Sequence, residues 1–336
     1  MSLSGFWHAA AALSGRIDLS EARRQSDKLS QMSDGALALC GVQTRHITRL
    51  RRAPALTCGR NALTLEDESY PRQLSVLPYA PPVLFYAGNL GRLSDPCVAI
   101  VGARRCTQRA RDLAGSFART LSSSGVSIVS GLAYGVDEAA HTAAPGRAIA
   151  VLGQGLGGKH TSRQHRLIEL IVSSGGLILS EFLPGFPAAK HTFPQRNRVI
   201  AGLTLGTVVI EATPRSGSLV TARHALNQGR EVMAVPGHPL DTMSAGCNRL
   251  IGDGAALVTS GQDVLSHLNI ATASHHRPTT PSCMHQQAIL QALCTGDTVD
   301  HVATLTGLDM PTILVAIDAL ELTGHVARLP GDRLRT

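Results

Sequence analysis

Glycine and arginine occur together where a phosphate group could be bound. Gly102-Ala103-Arg104-Arg105 overlaps the end of the apolar run CVAIVG at 97–102. Glycine at a strand-to-helix turn lets backbone N–H groups point at an anion, and an arginine beside them adds a bidentate donor. The pattern makes Arg104 a candidate phosphate ligand. The alternative is an arginine exposed on a loop.

A second candidate segment, KHTFPQRNRVIAGL at 190–203, combines cations with an aromatic ring. Lys190 precedes Phe193 by three residues, and Arg196 and Arg198 follow on the first turns of a predicted helix. The pairing is unusual in a chain that is only 3% aromatic. It suits a phosphate contact beside a base-stacking ring. The other interpretation is a phenylalanine that plugs the helix into the core, with both arginines in salt bridges.

Two further patterns could bind a ligand but have simpler explanations. Ser216 or Ser218 can cap a helix whose first N–H groups would hold a phosphate oxygen. Asp137 and His141, four residues apart on one helical face, could orient a base. A capping and packing pair is the favoured interpretation of the latter, because no nucleophile is evident nearby.

The glycine-rich segment GQGLGG at 153–158 matches G-x-G-x-x-G between a predicted strand and a predicted helix. Taken alone, this match suggests a dinucleotide site. The motif lies late in the sheet, however, and Lys159, His160, Arg163 and Arg166 follow it, too much positive charge for an adenosine pocket. We therefore disfavour a dinucleotide site.

Short apolar runs that alternate with helical stretches must position these residues. The runs are VLFYAG, CVAIVG, VSIVSG, RAIAVLG, GLILSE, GTVVIEA, REVMAVPG and AALVTSG. Near-continuous apolar strands separated by helices predict an α/β fold with a doubly wound parallel sheet covered on both faces. Ligands of such a sheet bind beyond the carboxyl ends of its strands, where the candidate residues are expected to meet.

The 336 residues are enough for two or three domains, and composition marks their expected boundaries. Residues 1–80 have helical spacing and a net charge of +3, and residues 81–268 hold the alternating pattern and a net charge of +6. Residues 269–284 form a polar, proline-containing linker. Residues 285–336 form the last domain, and the linker together with this domain (269–336) carries a net charge of −2.

Basic residues in the first domain, Arg45, Arg49, Arg51 and Arg52, follow a glycine-containing turn between two short helices. Such a unit can bind a nucleic-acid backbone. A helical packing module with a solvated basic face is the favoured interpretation.

The last domain has the pattern of three helices and a hairpin with Pro330-Gly331-Asp332 as its turn, which predicts a winged helix. Fold analogy suggests duplex binding. The predicted recognition helix carries Asp318 and Glu321 but no lysine or arginine. We therefore expect a protein-interaction or packing module.

Composition narrows the class of protein further. Hydrophobic residues make up 43% and charged residues 16%, which supports a sizeable core and excludes a wholly disordered chain. The seven cysteines never form C-x-x-C, which favours reduced thiols in a cytoplasmic protein over disulfides or a zinc site. We expect a soluble protein without signal peptide, membrane span, metal or cofactor. The net charge of +7 is compatible with a polyanionic partner but does not demand one.

Ordered motifs over almost the whole chain resemble the DNA-processing protein A family (DprA, also called Smf). The matching segments are DESYPRQLSVLPYAPPVLFYAGNL, AIVGARR, IVSGLAYGVDEAAH, AIAVLGQGL, LILSEF, FPQRNRVIAGL, VVIEATPRSGSLVTARHALNQGREVMAVPG and GCNRLIGDGAALVTSGQDVL. The resemblance implies an extended Rossmann domain with an N-terminal sterile-alpha-motif-like domain and a C-terminal winged helix. It further implies a cytoplasmic, non-enzymatic protein that binds single-stranded DNA, protects it during natural transformation and loads the recombinase RecA onto it.

The resemblance also implies which residues bind the strand. The family's Gly-Ser/Thr-Arg turn falls on Gly102-Ala103-Arg104, where Ala103 removes one side-chain phosphate bond but leaves the backbone and arginine contacts. The family's Tyr-Pro pair appears as His160-Thr161 or Thr161-Ser162, which leaves Lys159, Arg163 and Arg166 as alternatives, of which we choose Arg163. The expected nucleic-acid-binding residues are Gly102, Arg104, Gly131, Arg163, Lys190, Phe193, Asn197 and Ser216.

A homodimer is implied as well, formed through the sheet end CNRLIGDGAAL at 247–257, with Arg249, Leu250 and Leu257 in the interface. In the alternative, these residues pack the last helix against its own sheet.

A different class of function is a Rossmann enzyme acting on a nucleotide, as in phosphoribohydrolases. Their signature P-G-G-x-G-T-x-x-E is absent from the corresponding EATPRSGSLVTA.

Overall fold

The computed structural model describes residues 2–3, 5–52, 56–57, 61–270, 284–293, 298–322, 326–329 and 333–335. The chain divides into two compact units, Met1–Thr272 and Ala273–Thr336. Each unit is built around its own hydrophobic core.

Four short helices and a two-stranded ribbon begin the first unit. They are β1 (Ser2–Leu3), α1 (Gly5–Ala12), α2 (Ser20–Gln25), α3 (Asp34–Leu39), α4 (Thr44–Arg52) and β2 (Leu56–Thr57). In α4, buried His46, Ile47 and Leu50 recur at helical spacing and leave the arginines on the other face. Apolar residues of these helices join one core with residues of the sheet, so the helical segment and the sheet are packed together.

A nine-stranded sheet forms the centre of the first unit. Its strands are β3 (Asn61–Thr64), β4 (Val83–Gly88), β5 (Cys97–Val101), β6 (Ser127–Ser130), β7 (Ala148–Leu152), β8 (Leu177–Ser180), β9 (Gly206–Val209), β10 (Glu231–Ala234) and β11 (Ala256–Leu257). Their spatial order is β11-β10-β9-β5-β6-β7-β8-β4-β3. The seven strands from β11 to β8 are parallel, as predicted, and fully buried β5–β9 have near-continuous apolar sequences.

The edge of the sheet differs from the prediction of an all-parallel sheet. Strand β4 runs antiparallel to β8, with Phe85 opposite Ser180, and β3 runs antiparallel to β4. The sheet therefore begins at Asn61, inside the segment 1–80 that was assigned to the N-terminal domain. Four residues of β3 have too little periodicity to be recognised, and their pairing with β4 is not a local property.

Helices cover both faces of the sheet, and their starts follow ordinary capping chemistry. They are α5 (Arg72–Ser75), α6 (Gln108–Ser123), α7 (Val136–Ala143), α8 (Ser162–Ser173), α9 (Thr192–Gly202), α10 (Ser218–Asn227), α11 (Ala245–Gly252) and α12 (Gly261–His267). The Thr107 hydroxyl accepts the Ala110 N–H at 3.1 Å, and Thr161 with Gln164 forms a capping box at the start of α8.

The topology places a ligand crevice in the middle of the sheet. From β5 the chain moves outward through β6, β7 and β8, and from β9 it moves outward on the other side through β10 and β11. Strands β5 and β9 are therefore the neighbours at which the winding direction reverses. In doubly wound sheets the ligand crevice lies beyond the carboxyl ends of such a pair.

The second unit is small and mostly helical. Its elements are α13 (Met284–Leu293), α14 (Val299–Thr306), α15 (Met310–Leu322), β12 (Ala327–Leu329) and β13 (Arg333–Arg335). Strands β12 and β13 are antiparallel, and Ile289, Val302, Ile313 and Ile317 form its core. The expected turn at 330–332 and residues 271–283 of the expected linker lie outside the described residues.

Among the described residues, no single helix has both the length and the apolar composition needed to cross a bilayer. The pair α14 and α15 passes the same test only when counted together, and the two helices are bent by 117°.

Candidate nucleic-acid interface

A cleft of about 490 Å³ opens at the carboxyl ends of β5 and β9, where the topology predicts a ligand crevice. Its walls are formed mainly by the turn after β5, the first half of α9, and the loop from β9 into α10 with the start of that helix. Ala133, Asp137 and Met243 complete the lining. Among the predicted residues the cleft brings together Gly102, Arg104, Phe193, Asn197 and Ser216. Five predicted residues from three segments that are far apart in sequence thus meet at one site.

An arginine and an aromatic ring face each other in this cleft. The guanidinium carbon of Arg104 lies 5.4 Å from the centroid of the Phe193 ring, within the range of a cation–π contact. Arg104 is exposed, and Phe193 is only half-buried. Phe193 is therefore not a plug that is wholly enclosed by the core, and part of its surface is open to a ligand.

The position of Phe193 is determined by two contacts with the end of β7. Thr192, which is fully buried, donates its hydroxyl hydrogen to the Gly153 carbonyl oxygen at 2.5 Å. A Cβ atom on Gly153 would lie 2.8 Å from Cδ1 of Phe193, so only glycine lets the ring pack this closely. The first turn of α9 is thereby anchored to the sheet with one edge of Phe193 against Gly153.

Arg196 has a structural role on the inner side of the same helix. It is 4% exposed and donates from Nη1 to the Gly131 carbonyl oxygen at 2.7 Å and to the Val151 carbonyl oxygen. Burial lowers the pKa of Arg196 to about 10, although nearby Asp137 acts in the opposite direction. The guanidinium stays charged at neutral pH and ties α9 to the ends of β6 and β7.

Gly131 leaves the space that the Arg196 guanidinium occupies. A Cβ atom on Gly131 would lie 2.6 Å from Nη2 of Arg196, and the Gly131 carbonyl is already an acceptor for Nη1. The structure thus gives Gly131 the role of admitting a guanidinium, and the strand contact that the resemblance implies stays a prediction.

The pair Asp137 and His141 is buried beneath the cleft. The Asp137 carboxylate accepts the N–H groups of Gly131 at 3.1 Å and Ala133 at 3.4 Å, which closes the turn before α7. Burial raises the pKa of Asp137 and lowers that of His141 to about 4. His141 is completely buried, so it has no access to a ligand and the pair has the packing role that the sequence favours.

The loop into α10 supplies polar groups on the opposite wall. The Ser216 hydroxyl lies 2.7 Å from the Ser218 hydroxyl and accepts the Ser218 N–H at 3.3 Å. Asn197 donates to the Gly217 carbonyl oxygen at 3.4 Å and so joins α9 to this loop. The N-terminus of α10 therefore opens at the cleft, where its partial positive charge favours an anion.

One backbone N–H group of the turn after β5 already donates a hydrogen bond within the protein. The Ala103 N–H donates to the Glu211 carbonyl oxygen at 2.7 Å, and Glu211 in turn accepts the Thr107 hydroxyl at 2.7 Å. The Ala103 amide is consequently not available to a phosphate, so the backbone contacts predicted for this turn would have to come from its other amides. The exposed Arg104 side chain is available as a hydrogen-bond donor at this turn.

Two predicted residues lie away from the cleft. Lys190 is exposed before α9 and does not line it. Arg163 lines a separate groove of about 720 Å³ between α6, α7 and α8, where it forms an ion pair with Glu138. The choice of Arg163 as the residue that lines the pocket is therefore not supported by the geometry.

Tyr134 was missed by the sequence analysis. Its ring lies 5.7 Å from the Arg163 guanidinium carbon, its hydroxyl is 2.8 Å from the Thr161 hydroxyl, and 38% of its surface is exposed. It follows the end of β6, beside Ala133 of the cleft wall. Its position just after the apolar run VSIVSG, in a chain with four tyrosines, is the sequence feature that points to it.

The glycine-rich segment at 153–158 packs against protein. The Gly155 N–H donates to the Phe186 carbonyl oxygen at 2.9 Å, and a Cβ atom on Gly155 would lie 1.9 Å from the Leu183 carbonyl oxygen. Gly155 thus allows two loops to approach each other, which is a structural reason for a glycine at this position of the motif.

The residues proposed for the dimer interface differ in exposure. Leu257 is 55% exposed, whereas Leu250 is partly buried against the core of its own unit. Nε of Arg249 lies 3.7 Å from a carboxylate oxygen of Asp253, the residue that follows α11. Of the apolar candidates, Leu257 offers a free surface.

Comparison with known proteins agrees with this geometry. Residues 61–269 match the family model described as DNA recombination-mediator protein A, and residues 273–332 match that of the DprA winged helix domain. The protein Smf of Escherichia coli is 39% identical over 80% of this chain and 76% of its own length. The DNA processing protein DprA of Streptococcus pneumoniae is 47% identical over 61% of this chain and 73% of its own length.

Two solved structures share the fold. The X-ray structure of DprA from Streptococcus pneumoniae superposes with a TM-score of 0.68 at 36% identity and covers 79% of this chain and 98% of that one. A structure of DNA processing protein A from Helicobacter pylori, described by its single-stranded DNA binding mode, has a TM-score of 0.57 at 30% identity and covers 63% of this chain and 97% of that one. With its Rossmann-like sheet and its C-terminal winged-helix domain, the chain belongs to the DprA/Smf family of DNA-processing proteins.

Proposed function

We propose that this protein is a single-stranded DNA-binding recombination mediator that acts in the cytoplasm and has no catalytic activity. The cleft between β5 and β9 is its strand-binding site. Arg104 contacts a phosphate, Phe193 stacks on a base, and the N-terminus of α10 with Ser216 holds a further phosphate oxygen.

The observation that carries this proposal is the contact between Arg104 and Phe193. A cation beside a half-exposed ring offers one group to the backbone and one to a base, which is how proteins bind single strands without reading sequence. Asp137, the carboxylate among the described residues that line the cleft, is already bound by two backbone N–H groups. The open groups of the cleft are therefore those that attract an anion.

The biological role rests on family membership. We infer that the protein protects incoming strands during natural transformation, loads RecA onto them and acts as a homodimer. We propose 1–80, 81–268, 269–284 and 285–336 as the domain divisions, with strand β3 of the first segment completing the sheet of the second. We further propose that the acidic last domain binds protein partners or packs. Truncation after Met284 should then leave strand affinity within a few-fold of that of the full chain.

A salt titration of DNA binding tests the function directly. Fluorescence anisotropy with single- and double-stranded oligonucleotides should show tighter binding of the single strand, and log Kobs should fall linearly with log salt. An excess of mononucleotide should fail to compete. Saturation of the cleft by a mononucleotide, or equal affinity for duplex, would favour a nucleotide-processing enzyme or a duplex reader instead.

A further inference from the structure

A second basic groove lies on the N-terminal helices. It has a volume of about 500 Å³ and lies between α1 and α4. Its residues are His8, Ala9, Ala12, Leu13, Arg16, Thr48, Arg49 and Arg52. The lining contains three arginines and no carboxylate, so its electrostatic potential favours an anion.

The concave shape follows from matched helical spacing. His8 and Ala12 are four residues apart on α1, and Thr48 and Arg52 are four apart on α4, so each helix offers one continuous face. The small side chain of Ala12 leaves space between the helices. Long arginines at the rim can then reach a ligand that lies in this space.

The arginines of α4 divide into two kinds. Arg51 donates to Asp34 at 2.8 Å and to the Ser30 carbonyl oxygen at 2.9 Å, so it holds the helices together. Arg49 and Arg52 are exposed, and within the described part of the chain neither has a carboxylate at ion-pair distance. Packing accounts for Arg51, whereas among the described residues no ion pair accounts for Arg49 and Arg52.

The groove is attached to the helix that carries Phe193. The Ser14 hydroxyl donates to the fully buried Glu181 carboxylate at 2.6 Å, and Gln195 donates to the Ser14 carbonyl oxygen at 3.0 Å and to Glu181 at 3.1 Å. Arg198 completes the cluster with an ion pair to Glu181.

The backbone next to Ser14 also requires glycine at position 15. Gly15 has φ +73°, and a Cβ atom there would lie 2.6 Å from Nε2 of Gln195. Arg16 follows directly and is exposed. The start of the groove is therefore held against α9, whose other side forms the cleft.

We propose that this groove is a second phosphate-binding site for the same DNA strand. It rests on the proposed function: a strand that leaves the cleft at Phe193 passes exposed Lys190 and reaches Arg16, Arg49 and Arg52. The ligand is the phosphodiester backbone, because guanidinium groups recognise its oxygens and the groove is lined by three arginines but by no phenylalanine, tyrosine or tryptophan that would stack on a base. Strand length then determines whether the groove contributes.

The test compares a short strand with a long one in full-length protein. Oligo-dT of about 6 nucleotides should fill the cleft alone, and oligo-dT of about 20 nucleotides should span both sites. In the double variant R49A/R52A, affinity for the long strand should fall about tenfold or more, and its salt slope should fall by about 1.4, at ~0.7 for each lost phosphate contact. Binding of the short strand should not change.

The matched control is R45A/R72A. It removes the same charge from two exposed arginines that line neither the groove nor the cleft. Its affinity and salt slope should remain near those of the natural sequence with both strands. Since all four side chains are exposed, circular dichroism and melting temperature should be unaffected in both double variants.

Three results would overturn the second site. They are an unchanged salt slope for the long strand in R49A/R52A, an equal loss with both strand lengths, or an equal loss in the control variant. Binding of poly-glutamate that is abolished in R49A/R52A, with DNA binding unaffected, would assign the groove to acidic protein segments instead. If the natural sequence binds neither strand, or R104A binds both normally, the cleft proposal fails, which is a distinguishable result.

Discussion

The guanidinium carbon of Arg104 lies 5.4 Å from the centroid of the Phe193 ring, although the two residues belong to different segments of the cleft wall. Arg104 follows β5, whereas Phe193 lies on the first turn of α9 and is braced by Gly153. The two side chains offer a phosphate ligand and a stacking surface that separate experiments can distinguish.

Arg104→Ala should weaken single-strand binding by roughly 1.5 to 3 kcal/mol, because it removes a charge-assisted phosphate contact. The salt slope should decrease by about 0.7. Arg109→Ala is the control, since Arg109 is an exposed arginine nearby that does not line the cleft. Equal binding by the two variants in a salt titration would place Arg104 outside the binding site.

Phe193→Ala should cost about 1 to 3 kcal/mol of strand affinity with little change in salt slope, because stacking involves no counterion release. Phe193→Leu is the sharper variant: it fills the space beside Gly153 but lacks a π-face. We expect Phe193→Leu to keep the melting temperature and lose most of the affinity. Normal affinity in Phe193→Leu would show that the ring is needed for packing and not for stacking.

Leu257→Arg should dissociate the proposed homodimer without unfolding the chain, because Leu257 is 55% exposed. Leu226→Arg alters a leucine of similar exposure, 57%, on α10 and should leave the oligomeric state unchanged. Sedimentation velocity measures both. Dissociation in both variants, or in neither, would contradict an interface at Leu257.

The free energy of unfolding should decrease as the pH is lowered from about 6.5 to about 4, because His141 is buried in its neutral form. Burial lowers the pKa of folded His141 from its ordinary 6.5 to about 4, so in this range the unfolded chain binds a proton that the folded chain does not. The lost stability approaches about 3 kcal/mol near pH 4, because each unit of difference between the two pKa values corresponds to about 1.36 kcal/mol. Full stability is reached above pH 6.5.

Urea unfolding across this pH range checks the prediction, with His141→Gln as the control. The variant keeps Asp137, whose raised pKa acts in the opposite direction, so the difference between the two proteins isolates the histidine. If the free energy of unfolding of both proteins changed with pH in the same way, His141 would not be the cause of the stability loss at acid pH.

Much of the sheet could be predicted because burial of a parallel strand is a local property of its sequence. Each of the eight apolar runs contains a strand, and glycine after β5 marks the turn from which Arg104 projects. The resemblance also located Phe193, Asn197 and Ser216, which do line the cleft. Local composition was sufficient to find the segments from which the site is built.

Tertiary structure decided which residues of those segments meet. Arg196 and Arg198 are two positions apart on α9, yet the first enters the turn at Gly131 and the second pairs with Glu181. Arg163 lies beside Tyr134 in another groove. Helical spacing alone could not assign these partners, because each comes from a distant part of the chain.

The sequence by itself therefore determined the strands β4 to β11, the helices between them and the glycine turns, since these depend on neighbouring residues. The antiparallel edge at β4, the joining of the N-terminal helices to α9 through Ser14 and Glu181, and the cleft between β5 and β9 depend on contacts between remote segments. Such contacts form only when the whole chain packs, because close approach is decided by the shapes of both partners.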